Sequence, residues 1–201
     1  MDKQLTALIV HDLKNALGVL EGDLALLKDA PDRTRATHAH AQCVALRERL
    51  IGFLTLYKAE EQGLLARIDA VCPEDFLQSL LAEHVSQRPE LHITLTDNAM
   101  QPVAFFDEYL VELALEAALQ NADRFAHSTI VVSCIREDGD LLFSITDDGP
   151  GLSATEDKPS TGLGMTLCKA IAEAHRNGDR RGSVQLENAA DGGACFTLRL
   201  P

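Results

Sequence analysis

Leu13, Leu17, Leu20, Leu24 and Leu27 recur at spacings of four and three, and Thr6 and Val10 carry the series toward the start of the chain. That periodicity predicts one helix over residues 3–28 with a heptad stripe. Pro31 cannot continue it, and Asp32 is placed to cap a second helix. A second series, Ala39, Cys43, Leu46, Leu50, Phe53 and Tyr57, repeats the spacing and predicts that helix. Two such helices with a short turn make an antiparallel hairpin with too little apolar surface to stand alone. Pairing of two hairpins into a four-helix dimer buries the stripes; packing onto the rest of the chain is the other solution.

From Ala70 the pattern mixes helix and strand. Pro73-Glu74-Asp75 opens a helix to about Gln87, and residues 91–96 alternate as a strand. Residues 107–125 predict a long helix with Leu110, Leu113, Ala114, Ala117 and Ala118 inward. Residues 129–135 and 141–146 are strands joined at Asp138-Gly139-Asp140, and residues 164–175 form a further helix. Residues 183–187 and 195–200 close as a hairpin around Asp191-Gly192-Gly193. Helices grouped with a mainly antiparallel sheet predict a two-layer α/β sandwich after the hairpin, an α+β chain overall.

Charge sharpens the division. The 201 residues carry a net charge of −13, yet residues 1–60 hold eight acids and eight bases, so the acidity belongs to the remainder. We divide the chain at 1–62 and 63–201. The acidic balance argues against nucleic acid, anionic membrane surface or polyphosphate as a general partner. The longest apolar runs, such as Ala7–Val10, fall far short of the roughly 20 residues of a membrane span, and no signal peptide opens the chain. Five scattered cysteines without a C-x-x-C pair suit reduced thiols in a cytoplasmic protein.

His11 lies about 160° from the centre of the leucine stripe and faces solvent, with Asn15, Gly18 and Gly22 on the same side. Two mid-helix glycines cost about 1 kcal/mol each against Ala, which an ordinary structural helix seldom keeps. They leave room for another protein surface to reach the imidazole. His11-Asp12-Leu13-Lys14-Asn15 resembles the phosphoacceptor box of sensor histidine kinases, with Ala16 where many members carry Pro. The resemblance implies that His11 accepts a phosphoryl group, that Asp12 orients the ring and takes its proton, and that Asn15 positions a water to hydrolyse an aspartyl phosphate.

Three further motifs lie in order along the chain. Asn121 to Phe125 ends the long helix, Asp147-Asp148-Gly149-Pro150-Gly151 comes after a strand, and Thr161-Gly162-Leu163-Gly164 opens a helix. Together they resemble the N, G1 and G2 boxes of the ATP-binding fold shared by histidine kinases, gyrase, Hsp90 and MutL. A buried Asp147 suits the adenine amino group, Gly149 and Gly151 permit close approach of the purine, and Gly162 and Gly164 precede a helix whose N-terminal amides suit phosphates. The neutral oxygen of Asn121 suits Mg²⁺ beside nucleotide phosphates. By the resemblance, Arg124 meets the phosphates and Thr161 belongs to the nucleotide site.

Four departures stand against that match. Ala117 replaces a second polar residue four positions before Asn121, and the lid from Leu152 to Ser160 has only nine residues. No phenylalanine box lies in that lid. Cys195 stands where a Thr commonly helps the adenine Asp.

The remaining histidines lack His-x-x-x-His spacing with a carboxylate, which makes a metal site improbable, and Glu137, Asp138 and Asp140 read as a solvated turn. The expectation is a dimeric histidine kinase core using ATP and Mg²⁺, passing phosphoryl groups from His11 to a receiver-domain Asp in two-component signalling. With ten residues before His11, the signal is expected from a separate sensor protein, unless the chain is a fragment. The alternatives are a histidine phosphotransferase with a degenerate ATP-binding domain, a non-catalytic dimer that sequesters a regulator, and a receiver phosphatase acting through Asn15.

Overall fold

In the computed structural model, which describes residues 3–87, 91–96, 100–152 and 162–201, α1 spans Lys3–Asp29 and α2 spans Arg33–Gln62. Between them Asp32 takes the capping role: its carboxylate accepts the amide of Arg35 at 2.7 Å, a bond that stabilises a helix start by about 1 kcal/mol. Asp23 and His38 pair across the two helices at 3.1 Å. Gly63, with φ of +77°, terminates α2. By its internal packing the chain divides into two units, one on residues 1–63 and 160–163 and one on residues 64–159 and 164–201.

Within the first unit the leucine stripe is only partly covered. Ile9 and Leu20 are buried, whereas Val10, Leu17 and Leu24 are about half exposed. On α2, Ala39, Gly52 and Leu56 are buried, while Cys43, Leu50 and Tyr57 of the predicted stripe stay exposed. Gly52 and Leu56 lie off that stripe. The second helix is thus turned relative to the expectation, and one apolar face of the hairpin is left without cover.

The second unit is built on a five-stranded sheet of order β2-β4-β5-β9-β8, formed by β2 (His92–Leu95), β4 (Thr129–Glu137), β5 (Asp140–Asp147), β8 (Ser183–Asn188) and β9 (Ala194–Leu200). All neighbours run antiparallel except β2 and β4. Alternation puts Ile130, Val132, Cys134, Phe143, Ile145, Phe196, Leu198 and Leu200 on the buried face. Three helices supply the second layer: α3 (Pro73–Gln87), α4 (Glu108–Phe125) and α5 (Leu163–Ala174). The wide apolar flank of α4 includes Val111, Leu115 and Leu119 beside the predicted Leu110, Leu113, Ala114 and Ala118. The two layers make the α/β sandwich of the histidine-kinase, gyrase and Hsp90 type, and the chain is α+β.

Phe76, Phe106 and Phe143 meet edge to face with centroids 5.4 to 6.2 Å apart, joining α3 and β5 to a short strand, β3 (Ala104–Phe106). β3 pairs with β1 (Asp69–Val71), and a small hairpin of β6 (Arg176–Asn177) and β7 (Arg180–Arg181) comes after α5; none of these four was expected.

The predicted solvated turn is corrected at Asp140, which is buried and bonded to Arg180 of β7 and to Arg199 of β9, whose other nitrogen reaches Glu137 at 2.8 Å. Two arginines converge on one carboxylate because β7 and β9 both come up against the start of β5. Among the described residues no helix is long and apolar enough to cross a membrane.

Candidate functional site

His11 stands on the exposed side of α1, its side chain 62% accessible. Its Nδ1 lies 3.2 Å from Asn15 Nδ2 and 3.5 Å from Asp12 Oδ1. Residues one and four positions on can both meet the ring because i and i+4 are neighbours on a helix. A carboxylate beside Nδ1 favours the tautomer with the proton there, and Nε2 then keeps its lone pair toward solvent. Asn15 meets Nδ1 through its Nδ2, which donates to the other tautomer, the one protonated at Nε2, so the two neighbours of the ring favour opposite tautomers. A Cβ added at Gly18 or Gly22 would meet nothing within 4 Å, so this face of the helix is open.

At the far end of β5, Asp147 is buried on the helix side of the sheet. Its Oδ1 accepts the amide of Gly149 at 2.9 Å and that of Ala194 at 3.2 Å. Gly149 has no space for a Cβ, which would overlap the Phe125 carbonyl oxygen and stand 2.8 Å from Asp147 Oδ1. Gly151 adopts φ of +76°, and a Cβ there would lie 2.6 Å from Asn188 Oδ1, the atom that accepts the amide of Leu152 at 2.8 Å. The glycines of this turn are therefore required by close packing of the protein on itself, a reason distinct from the purine approach expected from the motif.

Asp148 points the other way, as alternation predicts for neighbours at a strand end. Its carboxylate accepts the amides of His127 and Ser128 at 2.8 and 3.0 Å and the Ser128 hydroxyl at 2.7 Å. Those bonds, the Ser128 amide and hydroxyl foremost, hold its pKa well below the usual carboxylate range. Asp148 thereby ties the loop after α4 to the turn after β5.

Asn121 and Ala117 occupy successive turns of one side of α4. They face Gly164 in the first turn of α5, whose added Cβ would lie 3.7 Å from the Ala117 methyl and 3.8 Å from Asn121 Nδ2. Ala117, a departure from the motif, thus lies against Gly164 in the first turn of α5. Arg124 is exposed, with its guanidinium 5.2 Å from the Phe125 ring centre. Gly162 takes φ of +68° immediately before α5 begins at Leu163. Thr161 and residues 153–160, which hold nearly all of the predicted lid, lie outside the described residues.

The structure therefore brings Asn121, Asp147, Gly149, Gly151 and Gly164 to one end of the second unit, and His11, Asp12 and Asn15 to one face of the first. A neutral amide oxygen at Asn121 fits a hard cation shared with phosphates. Among the described residues no three His, Cys, Asp or Glu side chains cluster as metal ligands, so phosphate oxygens would have to complete the shell. The free edge of the Asp147 carboxylate fits an amino group such as that of adenine.

A separate groove of about 520 Å³ opens on the sheet face away from the helices, lined by Thr129, Thr146, Gln185, Cys195 and Thr197 and reaching Asp147 and Asp148 at one end. Cys195 belongs to that face: its sulfur lies 3.3 Å from Thr146 Oγ1. The side chain expected to help Asp147 is turned away from its carboxylate, and the neighbouring amide of Ala194 does that work.

Sequence reasoning passed over Gly193 and Asn188. Gly193 has φ of +82°, and its Cβ would overlap the Asp147 carbonyl oxygen. Its double-glycine turn was legible, but the approach of Asp147 depends on the register of β5 and β9. The histidines also acquire partners: His84 meets Asp123 at 2.9 Å, and buried His175 accepts the amide of Asp107 at 3.1 Å and bonds the Ile171 carbonyl at 2.8 Å.

Comparison with known proteins bears on the fold. Residues 106–201 match the family described as histidine kinase-, DNA gyrase B-, and HSP90-like ATPase. Sensor protein KdpD of Escherichia coli (strain K12) is 24% identical over 222 residues, covering 98% of this chain and 24% of its own length. The chain thus spans about a quarter of that curated relative. Among solved structures, the Acinetobacter baumannii histidine kinase AdeS superposes with a TM-score of 0.69 at 26% identity, over 94% of this chain and 96% of that one. Histidine kinase ThkA, solved in complex with response regulator protein TrrA, has the same fold, with a TM-score of 0.65 at 15% identity over 99% of this chain and 61% of that one. Residues 106–201 thus carry the match to that ATPase family, and over nearly its whole length the chain is similar to sensor histidine kinases.

Proposed function

We propose that the chain is a protein-histidine kinase that phosphorylates His11 from ATP and passes the phosphoryl group to a receiver-domain aspartate in two-component signalling. The observation that carries this reading is the setting of His11, with Nδ1 beside Asp12 and Asn15 and the side chain 62% exposed. Nε2 attacks the γ-phosphorus, the bond to the bridging oxygen breaks, ADP leaves, and the Nδ1 proton passes to Asp12. Asp147 reads the adenine amino group, while Gly162, Gly164 and the amides opening α5 receive the phosphates, with Arg124 and Thr161 contributing to the nucleotide site. Mg²⁺ held at Asn121 with the phosphates would neutralise charge on the transferred group.

Residues 1–62 act as the phosphoacceptor and dimerisation module and residues 63–201 as the nucleotide-binding module. The uncovered flank of Val10, Leu17 and Leu24 with Leu50 and Tyr57 favours a homodimer through the hairpin. The complex of ThkA with a response regulator supports a receiver as the partner. Asn15 beside the ring suits positioning a water for dephosphorylation of that receiver.

Incubation with γ-labelled ATP and Mg²⁺ tests the proposal: acid-labile, base-stable label is expected on wild type and none on His11→Gln. If the chain takes no label from ATP, yet accepts phosphate at His11 from a phosphorylated receiver, it is a phosphotransferase with a degenerate ATP-binding domain.

A further inference from the structure

Asp123 occupies the last turn of α4, where the negative end of the helix dipole disfavours a carboxylate. On the helix it sits about 200° from Asn121, on the opposite side of the same turn. Its Oδ2 meets His84 Nε2 at 2.9 Å, with the two side chains only 11% and 15% exposed. His84 lies in the last turn of α3, where the dipole favours a cation. The pair is close though not aligned as a hydrogen bond, and it joins the last turn of α3 to the last turn of α4. A residue placed against its local preference and buried with a matched partner marks a position kept for what it does to its surroundings.

We infer that the His84–Asp123 pair is a positioning element for the nucleotide site: it pins the far side of the last turn of α4 to α3 and so fixes the direction in which Asn121 and Arg124 project. The opposite side of that turn is set by Gly164 against Asn121, and its end by the Phe125 carbonyl against Gly149 and by Asp148 on the loop beyond. The His84–Asp123 pair acts at the same level of the helix from the α3 side. Neither residue touches the nucleotide. The inference rests on the nucleotide-binding reading of Asn121, and it predicts an effect confined to the Mg²⁺–phosphate end of the site, because Asp147 is held separately by Gly149 and Ala194.

The full chain carrying His84→Gln, Asp123→Asn, or both is titrated calorimetrically with Mg·ADP and, in a second series, with adenosine. Each single variant should bind Mg·ADP about tenfold more weakly, as loss of outer-shell support at a metal site does. The double variant should be no weaker than either single one, because the residues act as one pair. Adenosine, which reaches only the Asp147 end, should bind all four proteins alike. Variants that bind Mg·ADP as wild type does, or that lose adenosine and Mg·ADP in step, overturn the inference, the second outcome marking a loosened fold. Wild-type protein that binds neither ligand overturns the nucleotide reading itself and the inference with it.

Discussion

Gly193 lies so close to Asp147 that any β-carbon on it would overlap the Asp147 carbonyl oxygen and stand 3.1 Å from Oδ1 of the same residue. The turn between β8 and β9 thus folds directly over the residue assigned to adenine. Gly193→Ala should destabilise the second unit by about 3 kcal/mol, combining the cost of a side chain at positive φ with overpacking. Gly192 is the control: its φ is +95°, but an added Cβ meets nothing within 4 Å, so Gly192→Ala should cost only the backbone share, about 1–2 kcal/mol. Urea midpoints of the two variants, with ADP affinity measured beside them, check both values.

His175 is buried with both ring nitrogens committed, Nδ1–H donating to the Ile171 carbonyl and Nε2 accepting from the Asp107 amide. Burial is the main cause that lowers its pKa below 6.5, opposed by the Ile171 bond and the Asp107 charge. The native state therefore binds fewer protons here than the unfolded chain, so this contribution is complete above about pH 6.5 and is lost as pH falls below it. Protonation at Nε2 would also aim an N–H at the Asp107 amide. His175→Gln should be about 1–3 kcal/mol less stable at pH 8 and should flatten the decline in melting temperature between pH 7 and 5. An unchanged decline in the variant would assign it to other groups.

Asp140 gathers Arg180 and Arg199 at the start of β5. Its own side chain is only 10% exposed, whereas the arginines are 51% and 34% exposed, so solvent screens much of the attraction. Asp140→Asn should lower stability by about 1–2 kcal/mol, a modest loss for a triad. Thermal melts at low and high salt would show the wild-type advantage narrowing as salt rises.

Features carried by local chemistry were legible in the chain. Asp32 caps α2, Asp138 and Gly139 make the turn with φ of +52° and +88°, and the long elements fall within a few residues of their periodic segments. The three-residue strands Asp69–Val71 and Ala104–Phe106 were not, because so few residues hold no period and their pairing joins segments 35 positions apart. At the site, Asp147, Asn121 and Gly164 were legible as motif positions. What was hidden was reciprocal contact: Gly149 against the Phe125 carbonyl, Gly193 against Asp147, and the burial of Asp140, each set by how separate elements approach. The orientation of α2 was hidden for the same reason, since Cys43, Leu50 and Tyr57 obey the heptad spacing yet stay exposed in the single chain.

That exposure yields a prediction about assembly. Leu17 and Leu24 on α1 are 46% and 52% exposed, and Leu50 and Tyr57 on α2 are 44% and 51% exposed. Each large apolar side chain moved from water into an interface contributes about 1.5–3 kcal/mol when fully buried, so a two-fold contact that uses all four from both hairpins gains enough to offset the entropy of association. The wild-type chain should sediment as a dimer at micromolar concentration. Leu17→Asp combined with Leu50→Asp should sediment as a monomer, because a buried unpaired carboxylate costs several kcal/mol on each side of the interface. Helix content by circular dichroism and adenosine affinity should stay near wild type, since neither substitution touches the second unit's core. A double variant that still sediments as a dimer would place the interface elsewhere and leave this apolar flank to a different partner.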